Sequence, residues 1–206
     1  MSEVNDLVLV NALMRQALVA IEEVMGSKGL HAVLRTSKLD HYIDHLPPDD
    51  LSPAIQAADY ARLNEAIEAF YGRGGRGMLQ RVGKASFEYA IRNQSALFGL
   101  AGVALKMLPT QARIRFVLTR MAGAVKKANP QLLVDVEETD TGLAYVARVC
   151  SLCYGRHSDK PVCHLYVGSI TEGVRWATGQ VYQVQETHCL AKGDPYCRFT
   201  VTEPKT

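Results

Sequence analysis

The residues best suited to chemistry lie in the last third of the chain. All five cysteines are there: Cys150, Cys153, Cys163, Cys189 and Cys197. An odd number of cysteines favours metal binding or catalysis over a disulfide framework when export is not expected. The start of the chain carries Glu3 and Asp6 where a secretory signal needs positive charge, so we expect a cytoplasmic protein.

The first candidate motif is the pair Cys150 and Cys153, which has the spacing of a redox pair or of half a zinc site. His157, Cys163 and His164 follow closely, so a local Cys/His knuckle is one interpretation. The pair follows a predicted strand and does not open a helix, which weakens the redox interpretation. Cysteines at strand ends are also often small buried side chains. This motif therefore stays an alternative metal or redox pair.

The second candidate set is Glu186, Cys189 and Cys197. Glu186 and Cys189 converge only if the strand bends into a helical turn at residues 187–188, and a Gly-Asp-Pro turn then brings Cys197 back. Cys163 is the obvious fourth ligand. Three thiolates and one carboxylate form a closed tetrahedral site for Zn²⁺. With no open coordination position, such a zinc ion would be structural and not catalytic.

A glycine-rich run covers residues 72–77 before a predicted helix. The segment before it favours a helix where a dinucleotide-binding loop needs a strand, and no Gly-Lys-Ser/Thr follows. We expect a structural hinge, with anion binding at the helix start as the alternative. The sequence thus offers no nicotinamide or flavin fingerprint.

The elements before residue 130 are predicted to be helical. Apolar residues recur at helical spacing over residues 7–25, and Gly26 and Gly29 predict the end of that helix. Ser52 and Pro53 favour a helix start, as N-cap and first helical residue. Further helices are predicted over residues 31–42, 78–92, 97–108 and 114–125.

After residue 130 the apolar period changes to two. Residues 132–137 and 143–150 predict one hairpin, residues 181–184 and 196–201 a second, and residues 162–177 a helix between them. No helix separates the strands within either hairpin, so the sheet should be antiparallel and covered by helices. The predicted fold is α+β. We expect one domain over residues 1–206, mainly helical over 1–130 and strand-rich over 131–202.

Composition narrows the class of partner. The 206 residues are 48% hydrophobic and 21% charged, with a net charge of +2. Positive and negative charges are nearly balanced, so no strongly charged surface favours nucleic acid as a partner. The uncharged stretch 93–105 is shorter than the ~20 residues of a membrane span. The helix predicted over residues 7–25 is apolar on more than one side, which favours a homodimer.

Three segments carry a resemblance to a known family: VCSLCYGR from Val149, PVCHL from Pro161 and ETHCLAKGDPYCRF from Glu186. Together with Gly168 and Gly173, they resemble the 4-vinyl reductase domain family, also described as a hydrocarbon-binding domain. It includes proteins of (bacterio)chlorophyll biosynthesis and sensor domains of phenol- and xylene-responsive transcription activators. Its fold is shared with vesicle-tethering subunits that hold a fatty-acyl chain. The resemblance is specific over residues 145–202.

The resemblance implies a zinc site and a hydrophobic ligand. In the aromatic sensors a zinc ion is held by Cys, Glu, Cys and Cys, and the matching positions here are Cys163, Glu186, Cys189 and Cys197. The ligand would be an aromatic hydrocarbon, a tetrapyrrole or an acyl chain enclosed between helices and sheet. The resemblance also points to paired subunits. Five aromatic residues are candidates for the pocket wall: Phe87, Phe98, Phe116, Tyr145 and Trp176.

Two functions remain at the level of sequence. The first is a sensor or carrier that binds this ligand, with a protein partner or a changed dimer for signal output. The alternative is a vinyl reductase or accessory protein of (bacterio)chlorophyll biosynthesis. Reduction needs a hydride or electron donor, and the sequence offers no site for one. Binding is therefore favoured over catalysis.

Overall fold

The computed structural model describes residues 7–93, 105, 107–140 and 142–203. The predicted α+β architecture is confirmed in these residues. Five α-helices are described: α1 (Asn11–Thr36), α2 (Ala57–Tyr71), α3 (Gly75–Asn93), α4 (Thr110–Ala128) and α5 (His164–Thr178). The helix predicted over residues 97–108 lies almost entirely outside the described residues.

The main sheet has four antiparallel strands. They are β3 (Val134–Thr139), β4 (Gly142–Ala147), β5 (Gln183–His188) and β6 (Cys197–Thr202), in the order β3-β4-β6-β5. Both hairpins and the helix between them are confirmed. β4 is buried from Leu143 to Ala147, so neighbouring elements cover both of its faces. This central strand places Tyr145 in the core.

The N-terminal region differs from the prediction, because a two-stranded antiparallel sheet replaces the expected helix starts. β1 (Val8–Val10) pairs with β2 (Pro53–Gln56), with Val10 opposite Pro53. Pro53 is therefore the first residue of a strand, a position that tolerates proline. The backbone N–H of Ala57 donates to the carbonyl of Leu7 at 2.8 Å, which joins this sheet to the start of α2.

The helix break predicted at Gly26 is confirmed, because its backbone is not helical and α1 kinks there before a second helical segment continues to Thr36. Gly26 has φ +70°, a left-handed conformation that glycine adopts without strain. The segment predicted as a separate helix over 31–42 is the second half of α1 followed by a 3₁₀ turn, Asp40–Tyr42.

The glycine-rich run is helical from Gly75 onward, so the predicted loop up to residue 77 is wrong. Residues Gly72–Gly74 form a 3₁₀ turn and α3 begins at Gly75. A Cβ on Gly75 would lie 2.6 Å from the Cα of Glu68. Glycine is needed there because the backbones of α2 and α3 approach closely.

One apolar face of α1 is buried inside the chain. Met14, Leu18 and Ile21 are at most 1% exposed. Leu13 and Val19, on other sides of the helix, are only half-buried, so the homodimer stays a prediction. No helix among the described residues is long and apolar enough to cross a membrane.

Candidate metal centre and ligand pocket

All five cysteines and Glu186 meet in one buried cluster. Cys150 and Cys153 lie in the loop after β4, and Cys163 is the N-cap of α5. Glu186 lies on β5, Cys189 follows that strand, and Cys197 opens β6. The pair interpreted as a separate knuckle therefore joins the second candidate set. All of these side chains are buried.

The sulfur atoms are spaced as in a tetrahedral thiolate site. The Sγ of Cys163 lies 3.6 Å from that of Cys150, 3.9 Å from that of Cys189 and 3.8 Å from that of Cys197. The Sγ atoms of Cys153 and Cys197 are 3.5 Å apart. With Zn–S bonds of about 2.3 Å, a tetrahedral zinc site has sulfur–sulfur edges of about 3.8 Å. These sulfur–sulfur distances are thus compatible with ligands of one tetrahedral zinc ion.

The ligand atoms form two overlapping groups of four. In each group, all four atoms lie within 4.8 Å of one another. One group is Cys150, Cys153, Cys163 and Cys197, and the other is Cys163, Glu186, Cys189 and Cys197. Neither includes a histidine, so His157 and His164 of the knuckle interpretation are not among the candidate ligands.

A β-bulge brings Glu186 and Cys189 to the same point. Glu186 pairs with Phe199 and His188 with Arg198, so one extra residue of β5 lies between them. The predicted bend at residues 187–188 is therefore present as a bulge and not as a helical turn. The Asp194 carboxylate then accepts a hydrogen bond of 2.8 Å from the backbone N–H of Cys189.

The Glu186 carboxyl group is half satisfied. Its Oε2 accepts a 2.8 Å hydrogen bond from the backbone N–H of Cys163. Its Oε1 is buried without a hydrogen-bond partner among the described residues. Burial first, and then the neighbouring Cys189, raise the pKa of Glu186 to about 9. A cation in the cluster would reverse this penalty and give Oε1 a partner.

The cysteine side chains also need a nearby cation in order to ionise. The hydrogen-bonding thiols around Cys163, with Cys150 first, and burial raise its pKa well above its usual range. Thiolates this close together repel one another, so several can ionise only around a cation. The donor set, the spacing and the electrostatics thus agree on a soft divalent metal such as Zn²⁺.

An apolar cavity lies between helices α1, α3, α4 and α5 and strand β4. The volume of this cavity, counted as the space that the centre of a water molecule can occupy, is about 120 Å³. Phe87 and Tyr145, both expected in the wall, line it, whereas Phe116 and Trp176 are not among its lining residues. Phe98 lies outside the described residues. Sequence reasoning missed Tyr60 and Tyr166, although Tyr166 comes only three residues after Cys163.

The wall of this cavity contains several hydroxyl groups. Ser169 Oγ donates to the carbonyl of Gly83 at 2.8 Å, and Ser86 Oγ accepts from Gln16 Nε2 at 2.9 Å. The buried hydroxyl of Tyr145 makes no hydrogen bond of full geometry, and Tyr166 is the neighbour placed to bond with it. Burial raises the pKa of Tyr145 further above its usual range, so the group is a neutral phenol.

The cavity and the metal cluster share structural segments. Ser151 and Leu152, between two of the cysteines, line the cavity, as do Leu165 and Tyr166 just after Cys163. A metal ion bound by these cysteines would fix both segments. The metal cluster is therefore placed to hold one end of the cavity wall.

A polar cavity lies on the other side of the cluster. Its open space is about 590 Å³, measured in the same way, and Glu186 lines it together with Arg73, Arg76, Lys160 and His164. Burial first, then Arg76 and Arg156, lower the pKa of His164 to about 4, so it is neutral at physiological pH.

Comparison with protein families confirms the resemblance seen in the sequence. Residues 144–203 match the model of the V4R domain. They contain β4, α5, β5 and β6, and with them every candidate metal ligand. No curated protein matches the chain in sequence.

Solved structures share the fold over nearly the whole chain. An oxygen-binding H-NOX domain related to soluble guanylate cyclases has 12% identity and a TM-score of 0.60, with 94% of this chain and 93% of that chain covered. A Fe(II) unliganded H-NOX protein from K. algicida has 11% identity and a TM-score of 0.61, with coverages of 96% and 98%. A structure described for modulation of heme redox potential by porphyrin distortion has 12% identity and a TM-score of 0.61, with coverages of 94% and 98%.

The apolar cavity is small for a haem. Haem iron is held in proteins by His, Cys, Met or Tyr. The described wall contains no histidine or cysteine, and its residues of the other two types are Met121, Tyr60, Tyr145 and Tyr166. The open space is similar to that of a cavity that holds one benzene ring, ~150 Å³, and a porphyrin has four pyrrole rings. The shared fold therefore carries no haem site over to this chain.

Proposed function

We propose, with the V4R match of residues 144–203 as the premise, that this chain is a sensor domain that binds a single-ring aromatic molecule carrying one polar group. The observation that carries the proposal is the largely apolar cavity and the hydroxyl of Tyr145 in its wall, which lacks a hydrogen bond of full geometry. The wall is otherwise built from aliphatic and aromatic side chains. A ligand with a hydroxyl group would bury its ring and complete the hydrogen bonding of Tyr145.

The size of the cavity favours this ligand over the other two classes. A space of about 120 Å³ suits one ring, and neither a tetrapyrrole nor a long acyl chain. The same limit counts against a chlorophyll precursor as substrate. The vinyl reductase alternative therefore has no observation in its favour beyond the family's name.

We also propose that a structural zinc ion supports the cavity wall. Its ligands would be Cys163, Glu186, Cys189 and Cys197, whose ligand atoms all lie within 4.8 Å of one another. Four protein ligands leave no coordination position for a substrate. The metal would act on the ligand only indirectly, through the segments after β4 and at the start of α5.

The ligand proposal is tested by a size series measured by calorimetry and thermal unfolding. Benzene, toluene, phenol, naphthalene and haemin are each added to the full chain. The single-ring compounds should bind and raise the melting temperature by RT ln(1 + [L]/Kd) of added stability. Naphthalene should bind more weakly and haemin should not bind. Stoichiometric haemin binding, or no effect of any single-ring compound, would contradict the proposal.

A substitution that fills the cavity locates the binding site. Ala90 is buried in α3 and lines the cavity, so Ala90→Leu should weaken toluene binding by about tenfold or more, ~1.4 kcal/mol. Gly77→Ala is the control on the same helix, because a Cβ there meets no atom within 4 Å. Equal toluene affinity in both variants would place the ligand elsewhere.

A further inference from the structure

We propose that the cluster is a binuclear metal centre, with two Zn²⁺ ions bridged by the thiolates of Cys163 and Cys197. Cys150 and Cys153 would complete one tetrahedral site, and Glu186 and Cys189 the other. The inference rests on the zinc site of the proposed function and adds a second ion to it. It gives Cys150 and Cys153 a role that the single zinc ion leaves open.

The first argument is how the ligands are shared. The two groups of four have Cys163 and Cys197 in common, whereas Cys150 and Cys153 belong only to the first and Glu186 and Cys189 only to the second. Six ligands around two metals that share two bridging sulfurs give each metal four ligands. Each ion is then tetrahedral, as Zn²⁺ prefers.

The second argument is that the sulfur–sulfur distances are similar in the two groups of four ligands. Cys163 contacts a sulfur of both pairs, at 3.6 Å for Cys150 and 3.9 Å for Cys189. Cys197 contacts Cys153 at 3.5 Å. These separations are close to tetrahedral ligand edges of about 3.8 Å, so Cys150 and Cys153 each lie as near to a shared sulfur as Cys189 lies to Cys163. Cys163 and Cys197 lie where bridging ligands belong.

The third argument is charge and hydrogen bonding. Five thiolates and one carboxylate around two divalent ions leave a net charge of two minus, the same as one zinc ion held by four thiolates. The backbone N–H of Leu190 points to Cys197 Sγ at 3.3 Å, a contact that stabilises a bridging thiolate. The Oε1 of Glu186, which has no hydrogen bond of full geometry, would gain a partner from a metal on its own side of the cluster. One ion confined to the four-cysteine group would leave that oxygen unsatisfied.

Metal stoichiometry tests the proposal in the full chain, purified without chelator and with zinc supplied. Elemental analysis and native mass spectrometry should report two zinc ions per chain. Cys150→Ser with Cys153→Ser should retain one, and Glu186→Gln with Cys189→Ser should also retain one. Gly77→Ala, remote from the cluster, should retain two, and circular dichroism verifies that each variant is folded.

A spectroscopic measurement on the unsubstituted protein does not depend on the variants. With one equivalent of Co²⁺ the protein should give the electron paramagnetic resonance of an isolated high-spin ion. At two equivalents the signal should fall, because thiolate bridges couple the two spins. With ¹¹³Cd²⁺, two resonances should appear, one for four sulfur ligands and one for three sulfurs and an oxygen.

The outcomes separate this proposal from the single zinc site. One zinc ion lost with Glu186 and Cys189 but kept without Cys150 and Cys153 overturns the binuclear centre and leaves the proposed zinc site intact. One ion with the opposite dependence overturns both. Two ions without spin coupling overturn the bridged arrangement, and protein without metal contradicts both proposals.

Discussion

The hydroxyl of Tyr145 shows how one atom can determine which ligand a cavity selects. An unsatisfied buried polar group costs ~1–3 kcal/mol, and this hydroxyl is fully enclosed in the cavity wall. Any ligand atom that hydrogen-bonds to it removes that cost. A purely apolar ring gains only from burial, so the hydroxyl distinguishes phenol from toluene.

Tyr145→Phe tests this distinction without changing the size of the wall. Phenol affinity should fall by about three- to tenfold, the equivalent of one hydrogen bond of ~1 kcal/mol, whereas toluene affinity should stay within about twofold. Titration calorimetry of both ligands on both proteins forms a complete cycle. An equal change for the two compounds would show that the hydroxyl does not contact the ligand.

A single substitution at Cys189 tests whether the group that contains Glu186 binds a metal ion. Its Sγ belongs only to the group that contains Glu186. Cys189→Ser should therefore lose metal from that group and leave the Glu186 carboxyl buried without a cation. We expect a loss of ~3 kcal/mol or more of unfolding free energy, which lowers the melting temperature by roughly 6–12 °C in a chain of this length. Unchanged zinc content and melting temperature would exclude Cys189 as a ligand.

At the scale of elements, the start of α5 is held by direct backbone contact with α3. A Cβ on Gly168 would lie 2.0 Å from the carbonyl oxygen of Gln80, and a Cβ on Gly83 would lie 2.1 Å from that of Leu165. The helices cross where neither has a side chain. This crossing fixes the first turns of α5, which carry Cys163 and the cavity residues Leu165 and Tyr166.

Gly168→Ala should separate these helices. The added methyl group cannot avoid the α3 backbone, so we expect a loss of ~3 kcal/mol, at the upper end for overpacking, and weaker toluene binding. Gly123→Ala on α4 is the matched control. Its Cβ meets nothing within 4 Å, and replacing an exposed helical glycine should add ~0.5–1 kcal/mol of stability. Denaturant unfolding measures both, and equal stabilities would contradict the close crossing.

The elements that sequence alone predicts well are those with local signals. The helix over 162–177 and the two hairpins depend on periodicity and on turns between neighbouring segments. β1 and β2 were missed because their pairing joins Val8 to Gln56, and three or four residues are too few to show a period. The break at Gly26 was predictable, because glycine adopts a positive φ without strain and often ends a helical segment.

Local sequence patterns likewise predict only part of the candidate metal site. The convergence of Cys163, Glu186, Cys189 and Cys197 was predicted because their offsets match a known motif. The position of Cys150 and Cys153 was not, because it depends on β4 lying beside β6. Ala147 pairs with Cys197, and the loop after β4 therefore ends at the cluster. Sheet order, which no local pattern encodes, decides that there is one cluster and not two.

At the scale of the whole molecule, the cluster and the cavity form one unit. The segments that hold Cys150, Cys153 and Cys163 also supply Ser151, Leu152, Leu165 and Tyr166 to the cavity wall. Loss of a metal ion bound by these cysteines would release both segments at once. Ligand and metal should consequently stabilise each other, although neither contacts the other.

This coupling must be reciprocal, since each binding event changes the equilibrium of the other by the same factor. A saturating single-ring ligand should slow zinc transfer to a chromophoric chelator, and zinc-free protein should bind the same ligand about tenfold or more weakly, ~1.4 kcal/mol of coupling. The two measurements use the same protein, with Ala90→Leu as the control. That variant keeps the cluster but has a filled cavity, so the ligand should no longer protect its zinc. Equal chelation rates with and without ligand, in a protein that binds the ligand tightly, would show that the two sites are energetically independent.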